Sequence, residues 1–193
     1  MWHGVFLAAI SRSGKHPGEM ARGARTSMII VLNGPLGIGK STLAEALSER
    51  LDRCAMLDGD SLAAVNPPPL DALEHLHAAI VLLMAHHRRF GYRNFVINHL
   101  WETETDLGDF RRRLAVLDDR VFIYRLTLDR ASNLDRIARR AGASALDERT
   151  YEARTFAHEY DLLNRARGDE LGEPFDVSGS PEQLVETLLE RIG

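Results

Sequence analysis

The chain has 193 residues, of which 45% are hydrophobic and 27% charged, a balance typical of one soluble globular domain with a sizeable core. Its formal net charge of -4 disfavours a nucleic-acid-binding surface, which is usually basic. Cys54 is the only cysteine, which excludes an internal disulfide and a cysteine-based zinc site.

The amino terminus has the composition of a flexible leader. Beyond Ile10 it is rich in Gly, Ser, Arg and Lys and shows no sustained period, so we expect a leader over 1–27 and one domain over 28–193. No apolar run approaches the roughly 20 residues of a membrane helix. With no targeting segment recognised, we expect a cytoplasmic protein that binds neither membrane nor nucleic acid, as a monomer or a homodimer.

Short apolar runs alternate with helical patterns along the rest of the chain. The patterns predict a buried strand at 28–33, a short strand at 54–57, strands at 94–99 and 121–127, and a weak strand at 175–178. Between them they predict helices at 41–51, at 70–90, around Leu107, Phe110, Leu114 and Leu117, at 129–140 (rich in arginine) and at 148–165. A final helix is predicted to begin with a capping box at Ser180–Gln183. This alternation predicts an α/β fold with a parallel sheet covered on both faces. After the leader, residues 142–147 are the segment that we expect to form a mobile loop.

A phosphate-binding pattern lies between the first strand and the first helix. It fits G-x-x-x-x-G-K-[ST] at every fixed position and consists of Gly34, Pro35, Leu36, Gly37, Ile38, Gly39, Lys40 and Ser41, with Thr42 next to it. Glycines let the backbone N–H groups point at phosphate oxygens, and the helix start adds its positive dipole end. Lys40 is predicted to contact the β- and γ-phosphates, and the Ser41 hydroxyl to bind Mg²⁺.

Two carboxylates follow the second strand, in Leu57-Asp58-Gly59-Asp60. In a parallel sheet the carboxyl end of that strand meets the same edge as the phosphate-binding loop. One carboxylate is then suited to a magnesium-bound water, and the other to accepting a proton from an attacking hydroxyl. The alternative is a solvated turn, because Asp-Gly is a common turn pair.

With these motifs in place, the chain resembles the small-molecule kinases of the P-loop superfamily, such as shikimate, gluconate and adenylylsulfate kinases and chloramphenicol phosphotransferase. The resemblance rests on GPLGIGKS from Gly34, on LDGD from Leu57 and on the arginine helix after the fourth strand, and it covers 28–193. It implies a P-loop NTPase fold, a three-layer α/β/α arrangement with a five-stranded parallel sheet and a helical lid at about 136–150.

The resemblance also implies roles for individual residues. The cofactors would be ATP and Mg²⁺, with Asp58 on the magnesium side and Asp60 as the base on the acceptor side. Arg136 and Arg140 would be the lid arginines, with Arg139 as a rival. Without that context, a solvated helix with an Asp135–Arg139 ion pair is the alternative. The third strand departs from the wider P-loop pattern, because it ends in Asn98-His99 where many of these proteins have an aspartate.

Residues just past the third strand are candidates to line an acceptor pocket, namely His99, Trp101 and Glu102, together with residues 66–69. Trp101 is equally interpreted as a core residue. The histidines of the long helix, His75, His77, His86 and His87, are interpreted as surface residues, since they show no recognised metal motif.

The leading functional hypothesis is a kinase that transfers the γ-phosphoryl group of Mg-ATP to a small metabolite, nucleotide or antibiotic. A regulatory NTPase or switch is the second hypothesis, although the Asn-Lys-x-Asp motif of Ras-type GTPases is absent from the sequence. A toxin-like nucleotide-sugar kinase would use the same residues.

Overall fold

The computed structural model describes residues 27–140 and 146–193. All but one residue of the predicted leader, and most of the predicted mobile loop, lie outside the described residues. The side chains of residues 140–153 lie outside them as well.

Strands and helices alternate along the described chain, as the sequence predicts. The elements are β1 (Met28–Asn33), α1 (Lys40–Arg50), β2 (Cys54–Asp58), α2 (Gly59–Ala63), α3 (Ala72–Arg89), β3 (Asn94–His99), α4 (Glu104–Ala115), β4 (Val121–Thr127), α5 (Arg130–Arg140), α6 (Leu146–Arg165), β5 (Glu173–Asp176) and α7 (Pro181–Ile192). Strands β1, β3 and β4 have the predicted bounds, and most helix ends lie within two residues of the prediction.

The strands form one five-stranded sheet in the order β2-β3-β1-β4-β5, and every pair is parallel. The predicted five-stranded parallel sheet is therefore confirmed. The register places Asn33 beside His99 and Asp58 beside Asn98. Because parallel strands end at a common edge, the phosphate-binding loop after β1 and the carboxylates after β2 share one edge of the sheet.

Helices cover both faces of the sheet and give three layers. On one face, the odd residues of β1 and β3 pack with α3, α4 and α6, through residues such as Ile80, Phe110 and Leu163. On the other face, Ile30, Leu32 and Val96 pack with α1 and α7 through Leu47 and Leu188. Burial of strand residues on both faces explains why β1 is a continuous apolar run rather than an alternating one.

The last strand is the element whose bounds the sequence predicted least well. It was expected at 175–178, but the paired strand is Glu173–Asp176, starting opposite Tyr124. The apolar residues Phe175 and Val177 are buried, whereas the first two residues of the strand, Glu173 and Pro174, are exposed. The apolar pattern therefore shows where the strand is buried and does not show where it begins. The final helix does begin with the predicted capping box, in which Ser180 and Gln183 bond each other reciprocally.

Among the described residues, no helix is long and apolar enough to cross a bilayer.

The packing of α1 on the sheet predicts a large cost for truncating its central leucine. Leu47 is fully buried, so Leu47→Ala is expected to lower the free energy of unfolding by about 2–5 kcal/mol through lost burial and a residual cavity. Leu82→Ala is the matched control, because Leu82 is 70% exposed and its truncation is expected to change stability by about 0.5 kcal/mol or less. Equal losses in urea unfolding would contradict this account of the core.

Candidate functional site

The phosphate-binding loop makes a tight turn between β1 and α1. Gly37 and Gly39 have φ of 76° and 104°, values that side chains rarely adopt, and α1 begins immediately afterwards at Lys40. A Cβ at Gly37 would also lie only 2.3 Å from Cγ1 of Ile137 in α5. Gly37 and Gly39 are thus required by backbone geometry, and Gly37 is also required by its close packing against α5.

Lys40 folds back over the loop that precedes it. Its Nζ donates to the carbonyl oxygens of Gly34 and Pro35, at 2.8 and 3.1 Å. These bonds hold the ammonium group above the loop, where the residues from Leu36 to Thr42 line a cleft of about 640 Å³. All the predicted cofactor-binding residues therefore lie in the cleft or directly beside it.

Ser41, Asp58 and Asn98 form a polar cluster at the start of α1. The Ser41 hydroxyl donates to Oδ2 of Asp58 at 3.3 Å, and Nδ2 of Asn98 donates to the same oxygen at 2.7 Å. Burial acts to raise the pKa of Asp58, but the hydrogen bonds from Asn98 and Ser61 outweigh it and lower that pKa. Asp58 is therefore held as a carboxylate beside the Ser41 hydroxyl.

The cluster is suited to a hard divalent cation. The Ser41 hydroxyl and the Asp58 carboxylate supply oxygen donors, the type that Mg²⁺ prefers, and Oδ1 of buried Asn98 has no hydrogen-bond partner in the described structure. Asn98 lies near the end of β3, where many P-loop proteins have an aspartate. Its side chain contacts Ser41 and Asp58, the two residues predicted to bind the metal. No group of three or more His, Cys, Asp or Glu residues in the described ranges is arranged to bind a metal by itself.

Asp60 is not hydrogen-bonded within this cluster in the described structure and pairs instead with His99 at the end of β3. Nδ1 of His99 lies 2.8 Å from Oδ1 of Asp60, and the carboxylate is largely exposed. The hydrogen bond from His99 is the main cause that lowers the pKa of Asp60, with the charges of His99 and Lys40 assisting. The structure thus separates the two aspartates, with Asp58 beside Ser41 and Asp60 beside His99.

Gly59 separates the two aspartates for a steric reason. It is buried at the start of α2, with Asp58 as the N-cap. A Cβ at Gly59 would lie 2.7–2.9 Å from three atoms of His99. The glycine therefore allows β3 and its histidine to approach the aspartate turn.

Arg136, one of the arginines predicted to belong to a lid, lies at the cleft. Its guanidinium donates to the carbonyl oxygens of Ile38 and Val177, at 2.8 and 2.7 Å, and so connects the loop to the segment after β5. Arg139 also lines the cleft, but its side chain is 79% exposed and pairs with Asp135 at 2.5 Å. The side chain of Arg140 lies outside the described residues.

Two residues that the sequence analysis missed hold the peptide groups of Leu36. Asn133 of α5 donates to the Leu36 carbonyl at 3.2 Å, and Glu159 of α6 accepts from the Leu36 N–H at 2.6 Å. Burial raises the pKa of Glu159, against the opposing effects of the Leu36 N–H and Lys40. No motif marks these residues, which lie 97 and 123 positions along the chain from Leu36.

The interpretation of all the α3 histidines as surface residues was wrong for His77. His77 is 2% exposed, and its Nε2 accepts from Nε1 of Trp101 at 3.0 Å. Burial lowers the pKa of His77, which keeps its ring neutral and able to accept. Trp101 is itself 1% exposed and stacks on Phe110, so it belongs to the core.

The burial of Glu159 predicts a pH-dependent effect of removing its charge. Its folded pKa is raised, so the ionised carboxylate destabilises the fold, and that cost appears as the pH rises through the pKa. Glu159→Gln keeps an acceptor for Leu36 and is expected to raise the melting temperature at about pH 8, with the gain shrinking toward about pH 5. Glu186→Gln, at an exposed position, is the control and should change neither value. A lower melting temperature for Glu159→Gln at the higher pH would contradict this assignment.

Solved structures with the same fold include an antibiotic resistance protein and several small-molecule kinases. The tunicamycin resistance protein of Deinococcus radiodurans is 22% identical, with a TM-score of 0.59 over 86% of this chain and 96% of that chain. A gluconokinase from Sinorhizobium meliloti is 19% identical, with a TM-score of 0.65 over 87% and 93%. A shikimate kinase from Bacteroides thetaiotaomicron is 14% identical, with a TM-score of 0.54 over 86% and 99%.

No protein-family model matches the sequence, and no curated protein matches it. At these identities the similarity concerns the arrangement of the chain in space. The chain therefore has the α/β fold of the P-loop small-molecule kinases.

Proposed function

We propose that the chain is a phosphotransferase that moves the γ-phosphoryl group of ATP, bound with Mg²⁺, to a small-molecule acceptor. The observation that carries the proposal is the convergence of four predicted residues at one edge of the sheet. Lys40 and Ser41 lie at the start of α1, Asp58 ends β2, and Asp60 lies in the first turn of α2. Phosphoryl transfer depends mainly on positioning and charge stabilisation, which such a set supplies.

The cleft provides different groups for the two ends of the nucleotide. Loop N–H groups, the α1 dipole and the Lys40 ammonium bind the phosphates. Arg136 lies where the loop meets Val177, so it contacts either the base or the phosphates. Arg140 and Arg139 remain candidates for a lid cation that contacts the transferred group, a role in which an arginine can strongly accelerate transfer.

Magnesium would be held by Ser41 directly and by Asp58 directly or through a water, with Asn98 orienting Asp58. Its chemistry when bound is to neutralise charge that develops on the phosphate oxygens. Asp60 also lines the cleft, and its lowered pKa keeps the carboxyl group ionised, so it is available to accept the proton of the acceptor hydroxyl.

The charge of the acceptor side favours some acceptors over others. The negative charges of Glu102 and Asp60 both act to raise the pKa of Glu159, so the three carboxyl groups lie near one another. Glu102 also lines a second cavity of about 380 Å³, in which the carboxylates of Glu102, Glu104, Asp161 and Glu170 outnumber the guanidinium of Arg165. Because these carboxylates would repel an acid, we propose an uncharged or basic acceptor, such as a sugar, a nucleoside or an antibiotic, rather than an acid such as gluconate or shikimate. The lone cysteine and the use of ATP are consistent with a cytoplasmic enzyme.

The proposal predicts acceptor-dependent release of ADP from Mg-ATP. A panel of uridine, UMP, glucose, N-acetylglucosamine, kanamycin, chloramphenicol, tunicamycin, gluconate and shikimate is expected to contain an uncharged or basic member that raises turnover. Lys40→Ala should lower that turnover by at least about 100-fold, because it removes the preorganised positive charge that would stabilise the transferred phosphoryl group. Arg50→Ala, at the exposed far end of α1, is the control and should be unaffected.

A rate that no panel member raises, together with ATP hydrolysis stimulated by a protein, would contradict the kinase proposal and favour the regulatory NTPase. Turnover that is highest with gluconate, shikimate or UMP, the acids of the panel, would contradict only the proposed acceptor class.

The separation of the aspartates predicts that their amide variants differ. Asp60→Asn should bind ATP normally but lower kcat by about 100- to 10,000-fold, because the base is lost. Asp58→Asn should instead raise the Mg²⁺ concentration needed for half-maximal rate. Asp119→Asn, near the opposite edge of the sheet before β4, should match the wild type. Full turnover by Asp60→Asn would show that Asp60 is not the base.

A further inference from the structure

His99, at the end of β3, contacts the turn that carries Asp60, the proposed base. We propose that His99 is a positioning residue, whose Nδ1–H holds Asp60 so that one carboxylate oxygen faces the acceptor hydroxyl. The supporting geometry is the 2.8 Å contact between Nδ1 of His99 and Oδ1 of Asp60. This inference rests on the proposed function, because it concerns the orientation of the proposed base.

The His99 ring is held in place from two sides. Gly59 lies against it so closely that any added Cβ would come within 2.9 Å of the ring atom Nδ1. On another side the ring meets Trp101 edge-on, with centroids 5.2 Å apart and planes at 86°. A ring confined in this way can orient a carboxylate that is itself 71% exposed.

Trp101 is in turn fixed by the core beneath it. Its ring stacks on Phe110 at 4.8 Å, and its Nε1 donates to His77 at 3.0 Å. His77 also stacks on Phe110 and approaches Asp109, with Nδ1 and Oδ2 3.5 Å apart. The orientation of His99 therefore derives from packed helices α3 and α4, and not from the exposed turn that carries Asp60.

The contact also gives the two carboxylate oxygens of Asp60 different functions. A carboxylate only accepts, so the His99 nitrogen facing it carries the hydrogen, and Oδ1 of Asp60 is occupied. Oδ2 then takes the proton from the acceptor hydroxyl. The acceptor oxygen forms the new bond to the γ-phosphorus, the bond from that phosphorus to the β–γ bridging oxygen breaks, and ADP leaves. The proton on Oδ2 passes to solvent.

Two variants at one position test whether the donated hydrogen bond matters. His99→Asn places an amide N–H₂ the same number of bonds from Cα as Nδ1, so it can still donate to Asp60. His99→Leu fills similar space without a donor. With the panel member of highest turnover as acceptor, or water if none raises the rate, His99→Leu should lower kcat by about 10- to 100-fold. His99→Asn should stay within about threefold of wild type, and both should keep the wild-type Kd for ATP.

Equal losses in the two variants would overturn the positioning role, and so would an effect on KM alone. A loss in both variants with normal folding would identify the imidazole itself as a reacting group.

Combining these variants with a change of the base gives a second test. In the Asp60→Asn background, His99→Leu should cause no further loss of kcat, because the residue acts through Asp60. Multiplicative losses would show that the two residues act independently and would contradict the proposal.

The hydrogen position can be measured without any acceptor. Nitrogen-15 spectra of the histidine rings at about pH 8 should show the His99 signal, identified by its absence from His99→Asn, as the Nδ1–H tautomer. An Nε2–H tautomer would overturn the proposal. If the tautomer is as expected while no acceptor is phosphorylated, the proposed function fails and the contact stands. If phosphorylation occurs and His99→Leu is fully active, only this inference fails.

Discussion

The position of β1 between β3 and β4 is the constraint on which the site depends. Parallel pairing on both sides fixes where β1 ends, and the loop from Gly34 to Gly39 must turn at that point into α1. The same register brings Asn98 and His99 to the edge beside it. Since neighbouring side chains on a strand face opposite sides of the sheet, Asn98 reaches Ser41 and Asp58, while His99 reaches Asp60.

A second set of contacts connects the phosphate-binding loop to the helices that follow β4. The peptide groups of Leu36 are bonded by Asn133 and Glu159, the Ile38 carbonyl is bonded by Arg136, and Gly37 packs against Ile137. A movement of α5 or α6 must therefore break bonds to the loop or carry the loop with it. This arrangement gives a physical route by which helices α5 and α6 and the phosphate-binding loop would influence each other.

The sequence was most informative where chemistry requires a local pattern. The glycines before Lys40, the strand of continuous apolar residues and the Ser180 capping box each specify structure over fewer than ten neighbouring residues, and the structure has all three. The exposed start of β5 carried no such pattern. The contacts of Glu159 and Asn133 join residues about a hundred positions apart, and only the folded chain brings them together. The requirement for glycine at position 59 could not be predicted from the sequence either, because it arises from the close approach of His99 on another strand.

We propose that the edge of the sheet beside β1 binds the phosphate chain of a nucleotide. The most direct test is the binding of ATP, ADP and AMP measured by calorimetry in the presence of Mg²⁺. ATP is expected to bind at least about tenfold more tightly than AMP, because the loop, Lys40 and Ser41 would contact the β- and γ-phosphates, which AMP lacks. Equal affinity for AMP and ATP, or no binding of ATP, would contradict it.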